Sequence, residues 1–164
     1  MVEKSRQELA TLVLSLAREQ GLKVATAESC TGGLIIGALT DIAGSSDVVD
    51  RGFVTYSNEA KQQMLDVKAS TIAQVGAVAE ATAKEMAYGA LANSMADVAV
   101  AVTGVAGPGG GTAEKPVGLV WFGLAQVGMP PIAEQKLFGD IGREGVRHQT
   151  VLHALSMLKT SLSA

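Results

Sequence analysis

Leu9, Leu12, Val13 and Leu16 recur at helical spacing. Before them Ser5 is followed three residues on by Glu8, a capping-box pattern, and after them Gly21 supplies a stop. The pattern predicts an amphipathic first helix. Lys23-Val24-Ala25-Thr26-Ala27 then reads as a short strand, broken at Glu28-Ser29-Cys30-Thr31-Gly32-Gly33 before an apolar helical segment from Leu34 to Leu39. A second strand is predicted over Gly52-Phe53-Val54-Thr55-Tyr56, after which Ser57 or Asn58 can cap a short helix carrying Lys61, Met64 and Leu65.

Further along, a helix is expected from Glu80 to Asn93. Asp97 to Thr103 alternates valine with alanine and reads as a buried strand leading into the loop Gly104-Val105-Ala106-Gly107-Pro108-Gly109-Gly110-Gly111. Val117 to Gln126 and Ile132 to Phe138 are strand-like runs separated by Gly128-Met129-Pro130-Pro131, which predicts a hairpin and hence some antiparallel pairing. With Asp140 as N-cap, a last helix runs to about Ser161 on the apolar markers Val146, Val151, Leu155, Leu158 and Leu162. Strands interleaved with helices point to an α/β protein with a mixed sheet.

Composition narrows this picture. The 164 residues, 48% hydrophobic and 18% charged, suit one domain over residues 1–164, burying roughly 70% of the surface of its unfolded chain. Aromatic residues make up only 4% while Ala, Gly and Val abound, favouring close helix-on-sheet packing over the stacking platforms of single-strand nucleic-acid readers. The net charge of -3, with both signs interleaved, offers no basic surface for nucleic acid. The polar start Met-Val-Glu-Lys-Ser-Arg-Gln-Glu is not a signal sequence, and no apolar run approaches the ~18 residues of a membrane span. A lone cysteine, Cys30, closes no internal disulfide, so a reducing cytoplasm is the expected setting.

Several chemistries are excluded by what the motifs lack. Neither Gly-rich stretch carries the Gly-Lys-Ser/Thr of a P-loop or a dinucleotide fingerprint opening a long helix. His148 and His153, five apart on one helix, do not share a face, and no third nitrogen or sulfur ligand accompanies them, so no metal is expected. No Gly-x-Ser-x-Gly elbow is present, which leaves lysine or a carboxylate as the base for any serine nucleophile.

Ser29 stands between a strand and a Gly-containing helix start. There a hydroxyl is either an ordinary N-cap or a nucleophile beside the positive end of a helix. Lys61 is either an exposed helical lysine or, if desolvated, a neutral amine able to take a serine proton. Tyr56 would either orient that proton or pack its ring. Arg143 and Arg147, at i and i+4 near the start of the last helix, form the best local anion site, with Glu144 as a competing internal partner.

Four ordered motifs carry a resemblance that spans nearly the whole chain. They are Thr26-Ala27-Glu28-Ser29-Cys30-Thr31-Gly32-Gly33, Asp41-Ile42-Ala43-Gly44-Ser45-Ser46, Arg51-Gly52-Phe53-Val54-Thr55-Tyr56-Ser57-Asn58-Glu59-Ala60-Lys61 and Val102-Thr103-Gly104-Val105-Ala106-Gly107-Pro108-Gly109-Gly110. Together with Lys115-Pro116-Val117-Gly118 and Gly139-Asp140 they resemble the CinA C-terminal family.

The resemblance implies a three-layer α/β/α domain, homodimeric or of higher order, that hydrolyses the carboxamide of nicotinamide mononucleotide without a metal or other cofactor. It implies Ser29 as nucleophile, Lys61 as general base, Tyr56 as helper and Thr103 as a polar group near the reacting carbonyl. Arg143 would bind substrate, and N–H groups from Ser29 through Gly32 and Gly33 would meet the oxyanion, with Gly104 also at the substrate. On the same reading Tyr56 or Glu28 would face the pyridinium charge, and Arg143 with Arg147 the phosphate. The chain departs from the family at Ala79, where a serine is common and a helix cap is expected to be missing. Two other readings are a serine-lysine amidase for a different small amide, and a nucleotide- or partner-binding module with an idle site. Ammonia release from a panel of carboxamides separates the first, and tight nucleotide binding without turnover the second.

Overall fold

The computed structural model describes residues 4–164, so the first three residues of the polar N-terminal stretch lie outside the described residues. Ser5 accepts the Glu8 N–H at 3.1 Å to open α1 (Arg6–Gln20), and Gly21, left-handed at φ 66°, closes it. β1 (Val24–Glu28), α2 (Leu34–Thr40), a 3-10 turn at Ser45–Asp47 and β2 (Val49–Val54) follow. Next come α3 (Asn58–Leu65), α4 (Ala69–Val75), α5 (Glu80–Ala92), β3 (Val98–Gly104), β4 (Leu119–Gln126), β5 (Ile132–Leu137) and α6 (Arg143–Ser163).

The five strands form one mixed sheet in the order β2-β1-β3-β4-β5. β1 lies parallel to both β2 and β3, while β3, β4 and β5 pair antiparallel, as the hairpin pattern predicts. The Val-Ala alternation explains how the layers stack. Val98, Val100 and Val102 of β3 and Val120, Phe122 and Leu124 of β4 share one core with α1, α2 and α6. Ala25, Ala27, Ala99, Ala101 and Ala125 face the other way, against α5. These short side chains let α5 approach closely, and a Cβ on Gly123 would collide with the Ala83 carbonyl of that helix. Small residues in place of aromatics thus set the spacing of this layer.

Three elements differ from expectation. β2 begins and ends earlier than residues 52–56, leaving Tyr56 outside the sheet on the run into α3. α4 buries no residue fully, so no apolar stripe marks it in the sequence. Asp140 is exposed and does not cap α6: Gly139 and Gly142, at φ 81° and 86°, redirect the chain, and Gly142 is the N-cap. Ala79 precedes α5 without a side-chain cap, as its departure from the family pattern predicts. Among the described residues no helix is long and apolar enough to cross a membrane.

Candidate active site

Connections from β1 and β3 leave the sheet at their carboxyl ends, where the chain order reverses and a crevice opens. Ser29 follows β1, and its N–H continues the ladder by donating to the Val102 carbonyl at 3.1 Å. Alternation along β1 sends Glu28 towards α2 and Ser29 to the opposite side, towards α3. One step of the chain therefore separates two roles.

Glu28 is wholly buried, and its carboxylate accepts from Thr31 Oγ1 at 2.6 Å and from the N–H groups of Gly33, Ile35 and Ile36 at 3.2, 2.9 and 3.0 Å. It satisfies the orphan donors and positive end of α2. Glu28 is thus a structural cap and does not face the cavity, contrary to the reading that sets it against a substrate cation. Glu28→Ala would strand these buried donors, and we expect a loss of at least about 3 kcal/mol of stability in denaturant unfolding, against about 1 kcal/mol or less for an ordinary surface change.

Ser57 caps α3 by accepting the Ala60 N–H at 3.0 Å, which puts Lys61 one turn in, pointing under the sheet edge. Lys61 is only 1% exposed, which removes the reading of a solvated helical lysine. Its Nζ lies 3.1 Å from Ser29 Oγ, 3.1 Å from the Thr55 carbonyl and 3.3 Å from that of Tyr56. No carboxylate of the described residues pairs with it. Burial therefore pushes its pKa below the ordinary lysine value. The Ser57 carbonyl lies at 3.5 Å as well, so as a neutral amine it would donate its two hydrogens among these three carbonyls and turn its lone pair to the Ser29 hydroxyl. Cys30 is also buried, and desolvation pushes its pKa up to about 11, so it stays a thiol and Ser29 is the group with a base beside it.

The two residues border a cavity of about 320 Å³, which also reaches Tyr56, Asn58, Thr103, Gly104 and Arg143, a volume in the range of small-ligand sites (about 300–1,000 Å³). Thr103 Oγ1 donates to the Ala77 carbonyl at 2.9 Å, so its hydroxyl hydrogen is committed and its lone pairs remain as acceptors. Gly104 packs where a side chain would strike Val120. Arg143 donates to the Gly107 carbonyl at 2.8 Å and to Tyr56 Oη at 3.0 Å, leaving further N–H donors at the cavity and tying the exposed Tyr56 ring to α6.

Gly32, Gly33 and Arg147 lie elsewhere. The Gly32 N–H donates to the Ser29 carbonyl and the Gly33 N–H to Glu28, so neither is free to meet an oxyanion. Arg147 faces the turn after β1 rather than the cavity, donating to the carbonyls of Cys30 and Thr31 at 3.1 and 3.2 Å. Glu144 is exposed and makes no ion pair with either arginine. His148 accepts from Arg6, and His153 meets Glu134 and the Phe122 ring, so both serve packing. Sequence reasoning missed the part played by the Thr55 and Tyr56 carbonyls. Backbone acceptors carry no side-chain signal.

A three-layer α/β protein with a buried lysine against a serine at its strand ends is thus defined by the structure alone. The chain belongs to the CinA family: the model of the CinA C-terminal domain matches residues 6–162. It is 53% identical over 156 residues to "Nicotinamide-nucleotide amidohydrolase PncC" of Enterobacter agglomerans, covering 94% of each chain. The protein of that name from Escherichia coli is 48% identical over 159 residues, with 96% of this chain and 95% of that one covered. The crystal structure of the competence/damage inducible protein CihA from Agrobacterium tumefaciens superposes with a TM-score of 0.94 at 52% identity, covering 100% of this chain and 99% of that one.

Proposed function

We propose that this protein is a nicotinamide-nucleotide amidohydrolase, converting nicotinamide mononucleotide and water to nicotinate mononucleotide and ammonia. The relatives' names support the substrate. The observation that carries the chemistry is the 3.1 Å contact of Lys61 Nζ with Ser29 Oγ inside the cavity. Neutral Lys61 takes the Ser29 proton as the oxygen attacks the carboxamide carbon, and returns it to the departing nitrogen. The C–N bond breaks, ammonia leaves, and a nicotinoyl ester remains on Ser29. Lys61 then deprotonates a water that attacks the ester, releasing the carboxylate and restoring the hydroxyl.

Thr103, with its hydrogen committed to Ala77, acts in this reading as an acceptor for the carboxamide N–H. It thereby selects an amide over an acid. Tyr56 offers a π face to the pyridinium cation, and the free N–H donors of Arg143 take the phosphate. Because the family is implied to be oligomeric, and the lone thiol suits a reducing compartment, the reading includes a cytoplasmic homodimer or higher homo-oligomer.

The test is ammonia release by wild type and Arg143→Ala, from nicotinamide mononucleotide and from free nicotinamide. We expect the variant to raise KM for the mononucleotide by roughly 10- to 100-fold, the loss of one charged phosphate contact, with little change for nicotinamide. An equal loss on both substrates would remove phosphate recognition from Arg143, and no release from the mononucleotide by folded wild type would overturn the activity.

A further inference from the structure

The turn after β1 contains two N–H groups with no protein acceptor among the described residues, those of Cys30 and Thr31. Every other donor of this turn is engaged. Ser29 N–H goes to Val102, Gly32 N–H to Ser29, Leu34 N–H to Thr31, and the N–H groups of Gly33, Ile35 and Ile36 go to Glu28. Because Glu28 neutralises the start of α2, the helix end itself offers nothing to a developing anion. The free pair directly follows Ser29, and its Cys30 member borders the cavity, which makes that N–H the donor next to the nucleophile for an oxyanion on the substrate.

What aims these two groups is legible in the peptide planes. In a trans peptide the C=O of one residue and the N–H of the next point in opposite directions, and the peptides here are trans. Fixing the carbonyl therefore fixes the donor across the bond. The Ser29 carbonyl is held by the Gly32 N–H at 3.1 Å, which orients the Cys30 N–H. The Cys30 carbonyl is held from α6 by Arg147 Nε at 3.1 Å, which orients the Thr31 N–H, and Nη2 of the same guanidinium holds the Thr31 carbonyl at 3.2 Å. A cation on the oxygen of a peptide also polarises its N–H, strengthening the donor on the far side.

We propose that Arg147 is a positioning residue for the amide hydrolysis assigned above, on which this inference rests. It clamps and polarises the Cys30–Thr31 turn so that the free Cys30 N–H, which borders the cavity beside Ser29, stays aimed at the oxyanion. Arg147 touches no substrate, whereas Arg143, one helical turn earlier, lies at the cavity. The two arginines therefore divide transition-state stabilisation from substrate binding.

The experiment compares wild type, Arg147→Met and Arg147→Lys, each checked for folding by circular dichroism. The substrates are nicotinamide mononucleotide and p-nitrophenyl acetate, an activated ester that acylates a serine through the same oxyanion without needing nucleotide recognition. Expected is a fall in kcat of about 10- to 100-fold for Arg147→Met, somewhat less than loss of a whole oxyanion donor, with KM for the mononucleotide within threefold. The ester reaction falls in parallel. Arg147→Lys, whose single ammonium holds one carbonyl at a time, should fall between the two. Binding of phenylboronic acid, which forms a tetrahedral adduct with the serine, should weaken with kcat.

Unchanged kcat in folded Arg147→Met, or a loss confined to KM, overturns the proposal. If wild type hydrolyses the ester but not the mononucleotide, the substrate assignment fails and the ester rates still judge Arg147. A folded wild type inert to both overturns the two together. Should Arg147→Met not fold, Arg147→Lys carries the comparison, and wild-type rates in that variant count against the proposal.

Discussion

Ser29→Ala is expected to abolish ammonia release from nicotinamide mononucleotide, lowering kcat by at least about 10³-fold, as removal of a serine nucleophile does elsewhere. Binding should survive. The hydroxyl holds neither the phosphate nor the ring in the proposed complex, and Arg143, Tyr56 and Thr103 keep their partners without it. The fold should survive too, because Lys61 retains the Thr55 and Tyr56 carbonyls when the Oγ contact is lost. Calorimetry is therefore expected to give a dissociation constant for the mononucleotide within a few-fold of wild type. Acid-quenched wild type should carry a nicotinoyl group on Ser29 that the variant lacks.

A folded Ser29→Ala protein that still releases ammonia would transfer the attack to a water activated by Lys61 directly. A wild type that binds the mononucleotide tightly without turning it over would instead favour a binding module.

Much of this arrangement is written in local signals. Ser5 with Glu8, and Gly21 after Gln20, fix α1 because capping chemistry acts over three or four residues and needs no tertiary partner. The Val-Ala alternation of β3 likewise announces a strand buried on both faces, and its two side-chain sizes foretell which face takes the closer helix. α4 and the true start of α6 were illegible for the converse reason. The first buries no stripe, and the second is placed by the backbone of Gly139 and Gly142 rather than by a capping side chain.

The site divides along the same line. Ser29 and Lys61 stand 32 residues apart, and their approach depends on parallel pairing of β1 with β2, which no local pattern encodes. The resemblance to a family supplied it. Glu28 and Arg147 show the limit of reading charge as ligand affinity. A carboxylate or guanidinium near a site serves as readily to satisfy backbone groups, and here both do. Strand parity held the clue for Glu28, since it shares a face with Val24 and Thr26 and hence with α2.

Lys61→Met should be as damaging to catalysis as Ser29→Ala, and it carries a signature that no serine variant has. In wild type, proton removal from Ser29 needs the neutral amine. kcat/KM is therefore expected to rise tenfold per pH unit while Lys61 is mostly protonated and to level off above its pKa. Burial lowers that pKa, so the plateau begins below the ordinary value of 10.5. Loss of the base should cost about 10³-fold or more at the plateau and flatten the ascending limb. A variant that kept both rate and limb would mean that another group takes the proton.

Stability follows the same titration, and its sign is fixed. Between the lowered folded pKa and the unfolded one, the unfolded chain holds the extra proton, so wild-type stability rises with pH through that window. Conversely, as pH falls from the unfolded value to the folded one, the native state is progressively penalised for keeping a buried amine uncharged. Lys61→Met has no such group. Denaturant unfolding of both proteins from pH 7 to 10 should show wild type gaining on the variant as pH rises, whereas parallel curves would mean that the amine is charged throughout and unfit to act as the base.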